Sequence, residues 1–152
     1  MSSYDLWLFL HVTAVVVWVG GAIVLQVVSV LTNRAQDPAR SAALGRDVYW
    51  IVSRVFLPSS LVVGATGLLL RADGGWDWSE PFIWLGLVLW AGISVAAFGY
   101  VSRELGATGR RIAAEGPQPE LLARVGSLIL FARVLIALLL VVIFLMTVKP
   151  GT

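Results

Sequence analysis

The residue best equipped to do chemistry is the chain's single histidine, His11. It stands inside the run Leu6-Trp7-Leu8-Phe9-Leu10-His11-Val12-Thr13-Ala14-Val15-Val16-Val17-Trp18-Val19-Gly20-Gly21. An imidazole titrates near neutrality, ligates metals and is costly to place in hydrocarbon, so its position is a functional-site hypothesis by default. Two readings stay open. In the plain one, a neutral His11 hydrogen-bonds a neighbouring helix or headgroup water; in the sharper one, it is an axial haem ligand or part of a copper site.

The remaining inventory narrows the sharper reading. The absence of cysteine removes disulfides, thiolate-ligated haem and cysteine-held iron–sulfur clusters. Apart from Met1, the other soft donor is Met146. One histidine per chain leaves a five-coordinate haem, a His11–Met146 pair, or a pair with a second His11 across a homodimer. Copper fits less well, because a selective copper site usually gathers several His, Met or Cys ligands. No nucleotide-binding loop, paired intramembrane carboxylates or Ser-His-Asp set can be assembled, and without intramembrane acids a proton-driven pump is disfavoured.

The elements that must position His11 follow from composition. Hydrophobic residues make up 59% of the 152 and charged residues only 13%, against roughly 45–50% and 25% in soluble domains. Four stretches are long enough to cross a bilayer, each near the ~20 residues required. They predict an all-α four-helix transmembrane bundle that fills residues 1–152 as one domain, with helices over about 4–33, 46–71, 81–103 and 125–149. The first stretch is too long for a secretory signal core and lacks a basic residue ahead of it, so it is expected to be a permanent helix.

Charge orients the bundle. Arg34, Arg40 and Arg46 lie between the first and second spans, and Arg103, Arg110, Arg111 and Arg124 between the third and fourth. No Lys or Arg precedes the first span, and Arg71 alone marks the second-to-third connection, beside Asp73, Asp77 and Glu80. The positive-inside rule then places both termini and the acidic connection outside, with His11 in the outer leaflet. Trp7, Trp76, Trp78 and Trp84 fall at the outer boundary and Trp50 at the inner one, while Trp18 and Trp90 lie mid-membrane and are expected to fill space. The net charge of +2, dispersed among acids, gives no nucleic-acid surface.

Depth selects partners for His11. Arg54 and Arg133 lie near the cytoplasmic boundary, ~25 Å from the outer helix ends at 1.5 Å per residue. Arg54 is expected to meet Asp47 or headgroup phosphate there. Arg71 and Lys149 end the second and fourth helices at the outer level where haem propionates would emerge, or where lipid phosphates would meet them. Met146 lies within reach of His11 if the helices tilt. Gln26, Ser29, Ser59, Ser60, Thr66 and Ser94 look like inter-helix hydrogen-bonding groups.

Local signals refine the helices. Asp37-Pro38 reads as an N-cap with proline in the first turn, Gly116-Pro117 stops an extended third helix, and Pro119 starts the fourth, so helical stalks project into the cytoplasm. Pro58 is expected to kink the second helix, and Gly64, Ala65 and Gly67 to permit close packing. Trp18-Val19-Gly20 is echoed by Trp90-Ala91-Gly92, and Arg54-Val55 by Arg133-Val134, which hints at a parallel duplication.

The run from Trp7 to Gly21 resembles the first-helix pattern of copper-resistance D-type (CopD) membrane domains and of HemJ-type protoporphyrinogen oxidases. The stretch Arg54 to Gly67, and the ending Met146-Thr147-Val148-Lys149-Pro150-Gly151, are similar to small predicted integral membrane proteins of unknown function that look related to those groups. The oxidase resemblance implies that His11 ligates haem in a membrane complex, although the further histidines of that family and its arginine-rich extension after the first helix are not matched.

The leading expectation is a multi-pass protein of a bacterial inner (plasma) membrane that binds haem b or a porphyrin and serves electron transfer or tetrapyrrole handling. On that reading His11 is the expected metal ligand, and His11, Met146, Arg71 and Lys149 the expected cofactor site. The alternatives are a cofactor-free assembly subunit, associating as a homodimer or with another membrane subunit, and a copper-handling protein.

Overall fold

The computed structural model describes residues 2–35 and 37–149. Pro150 and Gly151, part of the C-terminal motif, lie outside the described residues. The chain forms four long antiparallel helices, α1 (Ser3–Arg34), α2 (Ala39–Asp73), α3 (Pro81–Glu115) and α4 (Pro119–Val148), each apolar enough to cross a membrane. No strand occurs among the described residues.

Each helix starts and stops for a local reason. Ser2 and Asp5 form a reciprocal capping box, with Ser2 Oγ accepting from Asp5 N at 3.1 Å and Asp5 Oδ2 accepting from Ser2 N at 2.9 Å. Asp37 Oδ1 accepts from Ala39 N and Arg40 N at 3.0 and 3.3 Å. Pro81 and Pro119 stand in the first turns of α3 and α4, where no N–H is required of them. Gly116 ends α3 at φ 82°, a conformation that favours glycine.

The spans expected at 46–71, 81–103 and 125–149 are therefore apolar portions of longer helices: α2 and α4 begin earlier and α3 continues to Glu115. Helical hydrogen bonding does not stop at the edge of an apolar stretch; α3 runs on as an amphipathic segment that buries Gly106, Gly109 and Ile112.

Three helices widen into π-helical turns, at Val16–Gly20, Val52–Phe56 and Val95–Val101. The turn in α2 has a clear cause. Pro58 has no N–H for the Arg54 carbonyl and its ring would crowd that oxygen, and the wide turn Val52–Phe56 directly precedes it. The expected local distortion is thus a π-helical turn, a usual outcome where the regular ladder is interrupted.

Neighbour pairing changes along the bundle. Toward the end that carries the termini, α1 packs on α2 and α3 on α4; toward the opposite, arginine-bearing end, α2 packs on α3 and α1 on α4. At the arginine-bearing end α2 and α3 approach closely: a Cβ at Gly45 would lie 3.2 Å from Gly109 Cα and 3.1 Å from the Leu105 carbonyl oxygen. The main core of Trp18, Val52, Phe56, Ile93, Leu135 and Leu139 fills the middle, where the Phe56 ring occupies the space a Cβ on Gly21 would need.

Candidate functional site

The pairing at the terminal end leaves space between the α1–α2 and α3–α4 pairs. A cavity of ≈ 510 Å³ opens there, within the usual range of ligand pockets. His11, Arg71, Met146 and Lys149 all line it. The four residues expected to form one site are thus brought to one cavity.

His11 belongs to the α1–α2 wall. Its Nδ1 lies 3.0 Å from Thr66 Oγ1, and its Cε1 is 3.5 Å from where a Cβ on Gly67 would stand. Thr66 has one hydroxyl proton, which it donates to the Val62 carbonyl one turn below. With the hydroxyl proton placed there, Thr66 is assigned as the acceptor from His11 Nδ1–H, the tautomer that leaves the lone pair on Nε2. A ligating histidine is commonly prepared in this way, its second nitrogen donating to an oxygen.

Met146 belongs to the opposite wall. Its methyl sits on Gly86 of α3, 1.9 Å from the position a Cβ would take, so the thioether packs on α3 while His11 packs on α2. Deeper in the cavity, Trp90 lies against Gly64, whose added Cβ would be 2.4 Å from Trp90 Cζ2. Trp90 Nε1 donates to the carbonyl and to Oγ of Ser60, both at 3.1 Å, and Ser60 Oγ is 2.9 Å from Ser94 Oγ. Trp90 fills space as expected, and it also forms a wall of the site.

Cations and aromatics gather at the terminal rim. Arg71 Cζ stands 4.3 Å from the Trp78 ring centroid, and Lys149 Nζ stands 4.2 Å from that of Trp76, which meets Phe82 edge-on at 5.4 Å. Arg71 Nε is buried without a hydrogen-bond partner among the described residues. Such a donor is expensive to leave unmet, and an anionic group meets it best. Lys149 closes α4 at φ 48°, a left-handed conformation uncommon for a residue with a Cβ. Between the two tryptophans, Asp77 Oδ1 accepts from Ser79 N at 2.9 Å, and these Ser79 hydrogen bonds hold the carboxyl below its ordinary range, with a smaller contribution from the Arg71 charge.

Other expectations are corrected or placed. Among the described residues no ion pair joins Arg54 to Asp47; the ion pairs are Arg40–Asp37, Arg111–Glu115 and Arg124–Glu104. Arg54 and Arg133 are exposed and do not line the cavity, in keeping with their separation from His11. Gln26 bonds across to the Ile129 carbonyl, and Ser60, Ser94 and Thr66 also bond between helices. Ser29 and Ser59 instead donate to Leu25 and Val55 on their own helices, since a serine hydroxyl easily reaches the carbonyl one turn back.

Sequence reasoning did not assign Thr66, Gly67, Gly86 or Trp76 to the site. The available signal was spacing: Gly64 and Gly67 share a helix face that must accommodate something large. Among the described residues no group of three or more His, Cys, Asp or Glu could hold a metal ion.

Fold and cavity together define a four-helix integral membrane protein with an apolar, cation-rimmed chamber in one half of the bundle. The chain belongs to the family described as Predicted integral membrane protein (DUF2269), which it matches over residues 5–150. No curated protein and no solved structure matches it.

Proposed function

We propose that the cavity binds a tetrapyrrole, haem b by preference, and that the protein serves electron transfer or tetrapyrrole handling in the plasma membrane. The carrying observation is the His11–Thr66 contact, which leaves Nε2 as a lone-pair donor in an apolar cavity. A lone histidine suits a metal that brings its own equatorial nitrogens better than a bare ion, which supports haem over copper. When bound, haem supplies a one-electron couple.

The chain's own residues would divide the work. His11 would hold the iron from the α1–α2 wall, with Met146 on the facing wall as the candidate sixth ligand. Arg71 and Lys149 would meet the propionates, and the unpartnered Arg71 Nε supports that role. The arginine distribution supports placing the cation-rimmed end outside the cell.

An absorption spectrum of the protein purified in mild detergent, or reconstituted with hemin, tests the proposal. A Soret band lost in His11→Ala is expected. Full haem retention by His11→Ala would overturn the ligand assignment. A protein that stays colourless even with hemin, and co-purifies stoichiometrically with another membrane subunit, would favour an assembly role.

A further inference from the structure

Toward the terminal end, α1 and α4 both line the cavity, yet they make no extended contact with each other there, unlike α1 with α2 and α3 with α4. Both helices present cavity-lining residues that are also accessible. Leu8, Val12 and Val16 recur every four positions along one side of α1; all three line the cavity while being 42%, 51% and 64% exposed. On α4, Ile143 and Met146 likewise line the cavity while being 36% and 37% exposed. Side chains that border a chamber and also face outward mark an opening, and this one is apolar on both edges.

The rim differs. Trp76 lies against Phe82 and beneath Lys149, and Trp78 lies beneath Arg71, so rings and cations cover the end toward the α2–α3 connection. An occupant arriving from the side would pass hydrocarbon throughout and would find positive charge only at the level of Arg71 and Lys149. That sequence of environments fits an amphiphile with an apolar body and an anionic head, held as it already lies in a leaflet.

We propose that the cavity is entered sideways from the lipid, through the gap between α1 and α4, by an amphiphilic anion whose head stays with Arg71 and Lys149. The inference rests on the tetrapyrrole reading for the identity of the ligand but not for its route.

The absence of native cysteine makes the route testable by single-cysteine labelling in vesicles. Val12→Cys is labelled with a bulky maleimide, and hemin uptake from lipid is timed before and after labelling of the same variant. Phe9→Cys is the control: Phe9 is on the same turn of α1, is 66% exposed and does not line the cavity. Labelling at Val12 is expected to slow uptake and release at least tenfold, and labelling at Phe9 to change neither. Unchanged rates after complete labelling at Val12 would overturn the lateral route.

A second measurement needs no haem. A diazirine-bearing fatty acid in the vesicles is photolysed and its adducts are mapped. Adducts on Val63 or Leu139, which line the cavity, would support lateral entry. Adducts confined to residues outside the cavity would overturn it. Hemin failing to bind while fatty acid marks the interior would remove the tetrapyrrole reading and keep the portal.

Discussion

His11 Nδ1 and Thr66 Oγ1 lie 3.0 Å apart on facing turns of α1 and α2, and the Thr66 proton is already committed to the Val62 carbonyl. The direction of the His11–Thr66 bond follows from proton counting: imidazole donates, hydroxyl accepts. Thr66 is therefore a positioning residue for His11 Nε2. Thr66→Val keeps the shape and removes the acceptor, and hemin affinity should fall about 10- to 100-fold, as for other partners of metal-ligating histidines. Thr66→Ser should restore most of it. A hemin titration followed at the Soret band measures this, and equal affinities for the Val and Ser variants would leave Thr66 a packing residue only.

The rim predicts an electrostatic dependence. Arg71→Gln and Lys149→Gln each remove a cation near the cavity's polar end while leaving the apolar walls intact. Each should weaken binding of a dicarboxylate porphyrin by about 10- to 100-fold, the value of one charge-assisted hydrogen bond. Neither should affect the corresponding dimethyl ester. Comparing the two ligands by fluorescence quenching separates lost charge from lost fold, because a damaged bundle would lose both. Lys149→Gly carries a further expectation: it relieves the φ 48° conformation, so it should keep thermal stability while losing the preference for the acid.

Much of this was legible in the sequence, and the limits have physical causes. Four spans were readable because hydropathy directly reports the solvent a segment needs. His11, Met146, Arg71 and Lys149 were readable as a set because depth along a helix is fixed at 1.5 Å per residue, and all four lie toward one end. Helix rotation was not readable. Whether Met146 faces the cavity or lipid depends on inter-helix packing, which here turns on Gly86 accepting its methyl. The same holds for Gly45 and Gly109, which lie 64 positions apart in the chain and become neighbours only through the α2–α3 crossing. Thr66 was recognised as an inter-helix hydrogen-bonding group, but its pairing with His11 required the register between α1 and α2.

Gly64 predicts a packing cost with a built-in control. A Cβ there would lie 2.4 Å from Trp90 Cζ2 and 2.7 Å from Cη2, and the indole cannot swing away freely because its N–H is held by Ser60. Gly64→Ala should therefore destabilise the bundle by about 1–3 kcal/mol through overpacking. Gly86→Ala should do less, although its nominal clash with Met146 Cε is closer at 1.9 Å, because a thioether terminus has free rotors with which to move. Thermal melts in detergent rank the two. Trp90→Leu in the Gly64→Ala background should recover part of the loss, and the reverse ranking would place the rigid contact at Gly86.

Asp77 predicts how the rim responds to acid. Its carboxylate accepts from Ser79 N, which holds its folded pKa below the ordinary carboxylate value. A group depressed in the folded state adds stability that is present at neutral pH, and that is lost as pH falls below the ordinary value of about 4 and through the folded one. Trp76 and Trp78 flank it, so loss of the Asp77–Ser79 turn should release the tryptophans from Lys149 and Arg71. The near-UV circular dichroism of the wild type should stay level from pH 8 to about pH 4 and change below that. The informative quantity is the difference from Asp77→Asn, whose amide oxygen can still accept from Ser79 but cannot titrate. That variant should show a smaller acid change, and an identical profile in both proteins would show that Asp77 does not carry the transition.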